Sequence, residues 1–140
     1  MNNSYATGAI MVSEKQVPLV TTKLDFRDFL GSMRVRLGIK RNKYRVDPGL
    51  YAVGEPGKES DVFVTANYKL SFDALRKNLA GLNAWILVLD TKGVNVWGAA
   101  GKKTFGTKEL VSRIKQAGLD NVVNHRRIIL PQLGATGVAA

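Results

Sequence analysis

The residues best suited to chemistry gather near position 100, in the run Asn95-Val96-Trp97-Gly98-Ala99-Ala100-Gly101-Lys102-Lys103-Thr104-Phe105-Gly106-Thr107. Its Gly-Lys pair invites comparison with a phosphate-binding P-loop, which needs a glycine five positions earlier and a hydroxyl directly after. Val96 and Lys103 stand at those two places, so nucleotide hydrolysis is not expected. No G-x-G-x-x-G fingerprint opens a helix. His125 is the only histidine, the acids are scattered and there is no cysteine. Neither a histidine-based triad nor a metal cage assembles from that set. Disulfides, zinc-thiolate sites, protein-ligated iron-sulfur clusters and a cysteine nucleophile are excluded as well. What remains is a loop of small residues that would let a large ligand approach the backbone. Trp97 reads equally as the core residue ending a strand or as a ligand contact, and Lys102 as a solvated amine or a contact.

Such a loop must be held by regular elements. Short apolar runs at Leu50–Val53, Asp61–Thr65, Ala84–Leu89, Val94–Trp97, Val122–Val123 and Arg127–Leu130 read as buried strands. Between them the spacing predicts helices over Ser71–Leu79, with Phe72, Leu75 and Leu79 inward, and Thr107–Ala117, with Leu110, Val111 and Ile114 inward. Ser71 with Asp73, and Thr107 with Glu109, supply a hydroxyl cap and an early acid to each. An earlier amphipathic helix starts near Thr22–Asp25 and carries Phe26, Phe29, Leu30, Met33 and Leu37 on one face. Strands alternating with helices imply an α/β fold: a Rossmann-like, mostly parallel sheet with helices on both faces. In such sheets the loops leaving the carboxyl ends of the strands build the site. Here these are Gly54–Gly57, Ala66–Tyr68, Thr91–Gly93, Gly98–Lys102 and Pro131–Ala135. Residues 1–21 read as an extended lead-in and residues 22–140 as one domain.

At 140 residues and 45% hydrophobic content the chain can bury one core. Its apolar runs fall far short of the roughly 18 residues that span a bilayer. No secretory signal precedes it, so a soluble, cytoplasmic chain is expected. The formal charge of +10 would attract an acidic protein, an anionic membrane or nucleic acid. Six cations within Arg34–Arg45, with no acid among them, form either a solvated face or a docking site.

The run from Asn95 to Thr107 resembles the signature of the corrinoid protein of microbial mercury methylation, Asn-Val/Ile-Trp-Cys-Ala-Ala/Ser-Gly-Lys followed by Phe-Gly-Thr. The likeness continues through Tyr51–Gly54, Val64–Ser71, Trp85–Gly93 and His125–Ala135, and covers roughly Tyr44 to Ala140. The same superfamily holds the large subunit of the corrinoid iron-sulfur protein of acetyl-CoA synthesis. The resemblance implies a cobalamin-binding domain whose ligand residues are Thr65, Asn67, Tyr68, Asn95, Val96, Trp97, Gly98, Ala99, Ala100, Gly101, Lys102, Thr104, Phe105, Gln132, Leu133, Gly134 and Ala135. It further implies a cobalamin-dependent methyltransferase. A methyltetrahydrofolate-type donor would supply the methyl group, a ferredoxin-like iron-sulfur protein the electrons, and Hg(II) would accept. A membrane-spanning region would follow the domain on its cytoplasmic side, so a chain ending at Ala140 reads as a piece of a longer protein that alone retains only cofactor binding.

Gly98 is the departure, standing where that family has the cysteine expected to ligate cobalt. It preserves the loop's shape, supplies no donor and predicts poor mercury methylation. An introduced substitution, a paralogue with another acceptor and a carrier without a protein ligand all stay open. His125 lacks the Asp-x-His-x-x-Gly setting by which many cobalamin proteins donate a histidine ligand. Two alternatives stand beside this reading: a methyl carrier of the acetyl-CoA pathway type, and a basic module for nucleic acid or anionic surfaces. Nucleic acid is the less expected partner, because no recognised binding motif accompanies the charge.

Overall fold

The computed structural model describes residues 6–12, 15–21, 46–91 and 106–130. In chain order these form β1 (Ala6–Val12), β2 (Lys15–Val20), β3 (Gly49–Val53), β4 (Val62–Ala66), α1 (Lys69–Asn78), β5 (Ala84–Leu89), α2 (Thr107–Ala117) and a 3₁₀ turn (Leu119–Asn121). The strands make one sheet in the order β1-β2-β3-β5-β4. Ile129 adds a parallel bridge to Phe63 on the outer side of β4.

The architecture is α/β, but the sheet is mixed where a mostly parallel, Rossmann-like one was expected. β2/β3 and β4/β5 pair in parallel, whereas β1/β2 and β3/β5 are antiparallel. Connection length gives the reason. Only residues 13–14 separate β1 from β2, and only residues 54–61 separate β3 from β4. A parallel crossover needs about a dozen residues or more, so the chain must reverse at both places. The β4-α1-β5 segment has room for a helix and makes the parallel unit. The stretch read as a lead-in enters the sheet, and Val17 and Val20 are core residues.

Period-two alternation sorts the core onto the two faces of the sheet. Trp85, Leu87 and Leu89 of β5 join Val64 and Ala66 of β4 and Leu110 of α2 in one cluster. Ala84, Ile86 and Val88 join Tyr51, Val53 and the α1 residues Phe72 and Leu79 in the other. Tyr51 and Phe72 meet edge to face with ring centroids 5.4 Å apart. The Trp85 indole N–H donates to the Gly57 carbonyl at 3.0 Å, so this buried polar group is satisfied.

Several local expectations change. Val111, expected inward, is 44% exposed. Val122 and Val123 are buried but follow the 3₁₀ turn and form no strand. Gly118 ends α2 in the left-handed conformation at φ 63°, a position that suits glycine. α1 starts at Lys69 with Tyr68 as its cap residue and has no side-chain cap, so Ser71 does not cap it. α2 begins as expected, with Gly106 and not Thr107 at the cap position. The helix predicted from Thr22, the basic stretch Arg34–Arg45 and the strand Val94–Trp97 lie outside the described residues.

The loop Gly54–Gly57 is another correction. Because β3 runs antiparallel to β5, with Val53 opposite Ala84, this loop sits at the amino-terminal end of β5, away from the carboxyl edge. There Asn83 Oδ1 accepts the Glu55 N–H at 2.9 Å. Gly54 has φ 69°, and a Cβ on it would collide with Asn83 Oδ1 and come within 2.9 Å of the Leu82 carbonyl. Gly54→Ala is therefore expected to lower stability by about 1–3 kcal/mol, from left-handed backbone strain and the clash together. Urea denaturation measures it, and a loss below about 0.5 kcal/mol would contradict the geometry.

Candidate functional site

The carboxyl ends of the parallel strands meet at one edge of the sheet. Ala66 of β4 pairs with Leu89 of β5. Beyond β4, the Ile129 N–H donates to the Val62 carbonyl at 2.8 Å and the Val64 N–H to the Ile129 carbonyl at 2.9 Å. The chain therefore runs in the same direction at Val62–Ala66, Ala84–Leu89 and Ile129. It leaves this edge at Asn67 and Thr91, while Ile129 pairs opposite Phe63, near the start of β4.

Asn67 holds two of these exits together. Its side-chain Oδ1 accepts both the Thr91 N–H and the Thr91 hydroxyl, each at 2.9 Å. Its backbone carbonyl accepts the Val46 N–H at 3.1 Å. Asn67 and Thr91 are both buried. One asparagine thus fixes the entry to residues 92–105 and the end of residues 22–45. A buried amide with this many donors converging on it specifies one local geometry, because any rearrangement would strand a polar group away from water.

Glu109 clamps the same exit from the other side of the sequence. Its Oε2 accepts the Asp90 N–H at 2.8 Å and the Arg113 Nε–H at 2.9 Å. Residues 92–105 therefore start from an Asp90–Thr91 pair bonded to both β4 and α2, and finish at the cap residue of α2, Gly106. The sequence placed Glu109 in the first turn of α2, where it favours the helix dipole. Its bond to Asp90 depends on the tertiary fold and could not be seen from helical spacing. Thr91 carried a weak signal, as the first residue of a loop already expected at the site.

Of the predicted ligand residues, Thr65, Asn67 and Tyr68 are among the described ones. Asn95, Val96, Trp97, Gly98, Ala99, Ala100, Gly101, Lys102, Thr104, Phe105, Gln132, Leu133, Gly134 and Ala135 lie outside them. Thr65 is buried and lines a cleft of about 300 Å³ with Phe63, Ser71, Leu75, Ile129 and Leu130. Tyr68 is half-buried against the α2-side core. The described polar side chains at this edge are the Thr65, Tyr68 and Thr91 hydroxyls, the Asn67 amide and, at the Asp90 exit, the Glu109–Arg113 pair. Among the described residues they include no cluster of metal-binding side chains. Such an edge can position a large neutral ligand by hydrogen bonds.

His125 lies elsewhere. Its Nε2 is 2.8 Å from the Ser60 carbonyl and its Nδ1 accepts the Arg127 N–H at 3.2 Å. These two contacts hold the ring in place. The residue is a structural tie to the chain entering β4, at the opposite end of that strand from Asn67.

A family model described as the CO dehydrogenase/acetyl-CoA synthase delta subunit matches residues 7–138. The gamma subunit of the acetyl-CoA decarbonylase/synthase complex of Archaeoglobus fulgidus is 32% identical over 97 residues, 68% of this chain and 21% of the relative. The Methanocaldococcus jannaschii gamma subunit is 35% identical over 100 residues, 69% of this chain and 20% of the relative. Gamma subunit 1 of Methanosarcina thermophila is 33% identical over 99 residues. The chain spans about a fifth of the length of these relatives. These matches overturn the resemblance to the mercury-methylation corrinoid protein. That resemblance was drawn over roughly Tyr44 to Ala140, and Gly98 already marked where this chain leaves the pattern. The expected Hg(II) acceptor goes with it, and the membrane region loses its only support. No helix among the described residues is long and apolar enough to cross a membrane.

Proposed function

Because the chain belongs to the CO dehydrogenase/acetyl-CoA synthase delta subunit family, we propose that it is the corrinoid-binding part of a methyl carrier of the acetyl-CoA pathway type. The observation that carries the reading is topological. Thr65–Tyr68 and Thr91, from which the chain continues towards the expected ligand residues Asn95–Phe105, lie together at one carboxyl edge of the sheet. That is where open α/β sheets bind their ligands.

The residues there suit the cofactor. A corrinoid ring is fringed with amides, and hydroxyl and amide side chains can orient it without burying a charge. Thr65, Asn67 and Tyr68, with Gln132–Ala135, would flank the ring or its tail. Asn95–Phe105 would hold the ring, where Gly98 and its small neighbours would permit close approach, and Lys102 would contact an anionic or amide group of the cofactor. When bound, cobalt supplies the methyl-carrying chemistry, while the protein supplies orientation and a dry site.

Gly98 then marks no lost function. A carrier of this type needs no ligand from position 98, and the chain offers no cysteine anywhere. By analogy with its relatives, named as subunits of a complex, it works within a multi-subunit assembly. Its methyl donor is of the methyltetrahydrofolate class and its electrons come from an iron-sulfur partner.

Titration with hydroxocobalamin, followed by visible spectroscopy and retention of corrinoid through gel filtration, tests this. Saturable binding is expected for the wild-type chain. A Gly98→Cys variant should bind as well and shift the spectrum towards thiolate ligation. If neither protein retains corrinoid, the assignment fails. If both bind and the cysteine leaves the spectrum unchanged, the loop does not lie beneath the cobalt.

A further inference from the structure

A second cleft, of about 360 Å³, opens between α2 and residues 125–128. It is remote from the carboxyl edge, because Asn124 N–H donates to the Lys58 carbonyl and His125 to the Ser60 carbonyl, both on the connection that enters β4. Its floor is apolar, formed by Ile114, Leu119, Val123 and Ile128. Arg126 and Arg127 stand exposed at its rim, and Asp120 is the one acid there. Among the described residues neither guanidinium has a carboxylate partner.

The same segment ends the sheet. Ile129 turns both its N–H and its C=O towards β4, so by strand alternation the backbone groups of Ile128 and Leu130 point away from the sheet. Ile129 is 41% exposed. Among the described residues no strand pairs with this outer side, and an edge of that kind accepts an added strand through main-chain bonds, with side-chain pockets giving specificity.

We infer that residues 126–130 and the adjoining cleft dock an extended, acidic segment of a partner protein. A strand laid beside Ile128–Leu130 would place alternate apolar side chains over the cleft and carboxylates within reach of Arg126 and Arg127. The charge favours this occupant over a second copy, since two chains of +10 repel each other. The inference rests on the part of the reading above that puts the chain in a multi-subunit assembly, and is independent of corrinoid binding.

The probe is a blocked hexapeptide alternating aspartate or glutamate with valine or leucine, titrated into the full isotopically labelled chain. Saturable amide shifts confined to residues 125–130 are expected, with slowed hydrogen exchange at the Ile128 and Leu130 amides. The double variant Arg126→Glu/Arg127→Glu should weaken binding about tenfold or more, as should a peptide whose acids are replaced by lysine. Hydroxocobalamin affinity should not change in that variant, which separates this inference from the corrinoid reading. Absent or non-saturable binding, shifts mapping elsewhere, or an unaffected double variant each overturn it. Displacement of the peptide by poly-uridylate with equal shifts at the same amides would make this a nucleic-acid surface and overturn it too.

Discussion

Asp73→Ala lowers the stability of this fold by about 3–5 kcal/mol, the range expected when one partner is removed from a buried ion pair. Arg76 is wholly buried, with Nε 2.8 Å from Asp73 Oδ1 and Nη1 donating to the Thr21 carbonyl at 2.8 Å. Lys69 Nζ meets the other Asp73 oxygen, also at 2.8 Å. The guanidinium also lies 5.8 Å from the centre of the Phe72 ring. Removing the carboxylate takes from a desolvated cation beneath α1 the charge that faces it. Asp73→Leu combined with Arg76→Met should recover most of the loss, because matched apolar residues remove the buried charge along with its partner. Urea midpoints of the three proteins decide the matter. A single variant as mild as a surface substitution, within about 0.5 kcal/mol of wild type, would show that the cluster does not stabilise the fold.

The same cluster shows what the sequence revealed and what it withheld. Helical spacing located Phe72 and Leu79 on the inner face of α1, and both are buried. Asp73 looked like an N-terminal charge because it follows Ser71, yet the helix starts at Lys69 and Asp73 faces inward to Arg76. Local propensity could not choose between these roles, since the Asp73–Arg76 pair is also tied to Thr21, 55 residues before Arg76. The continuous apolar run Ala84–Leu89 announced a strand buried on both faces, and every residue in it is buried. Its two neighbours run in opposite directions, and apolarity carries no sign of direction. Connection length did carry one: the two-residue and eight-residue links around β1/β2 and β3/β4 exclude parallel crossovers. The carboxyl-edge loops after β4 and β5 were legible for that reason, while Gly54–Gly57 was assigned to the wrong end.

The edge itself rests on Asn67, and Asn67→Leu puts both its structural and its binding role to the test. Leucine matches the heavy-atom branching, with somewhat larger bulk, but removes the oxygen that accepts the Thr91 N–H and hydroxyl. Losing this acceptor for two buried donors costs about 2–4 kcal/mol. Thr91→Val removes only the hydroxyl and should cost about 1 kcal/mol. Thr91 directly precedes residues 92–105, so breaking its bonds to Asn67 releases the anchor of the segment proposed to hold the corrinoid. Ordering that loop must then be supplied by binding, so hydroxocobalamin affinity should fall about tenfold or more. Asn67→Asp keeps the acceptor oxygen and strengthens each bond with charge, while paying desolvation for the carboxylate. It should therefore restore affinity further than it restores stability. That split is the informative readout, because a purely structural asparagine would move the two quantities together. If Asn67→Leu remains folded and binds hydroxocobalamin as tightly as wild type, the Asn67–Thr91 pair supports the sheet without positioning the ligand loop.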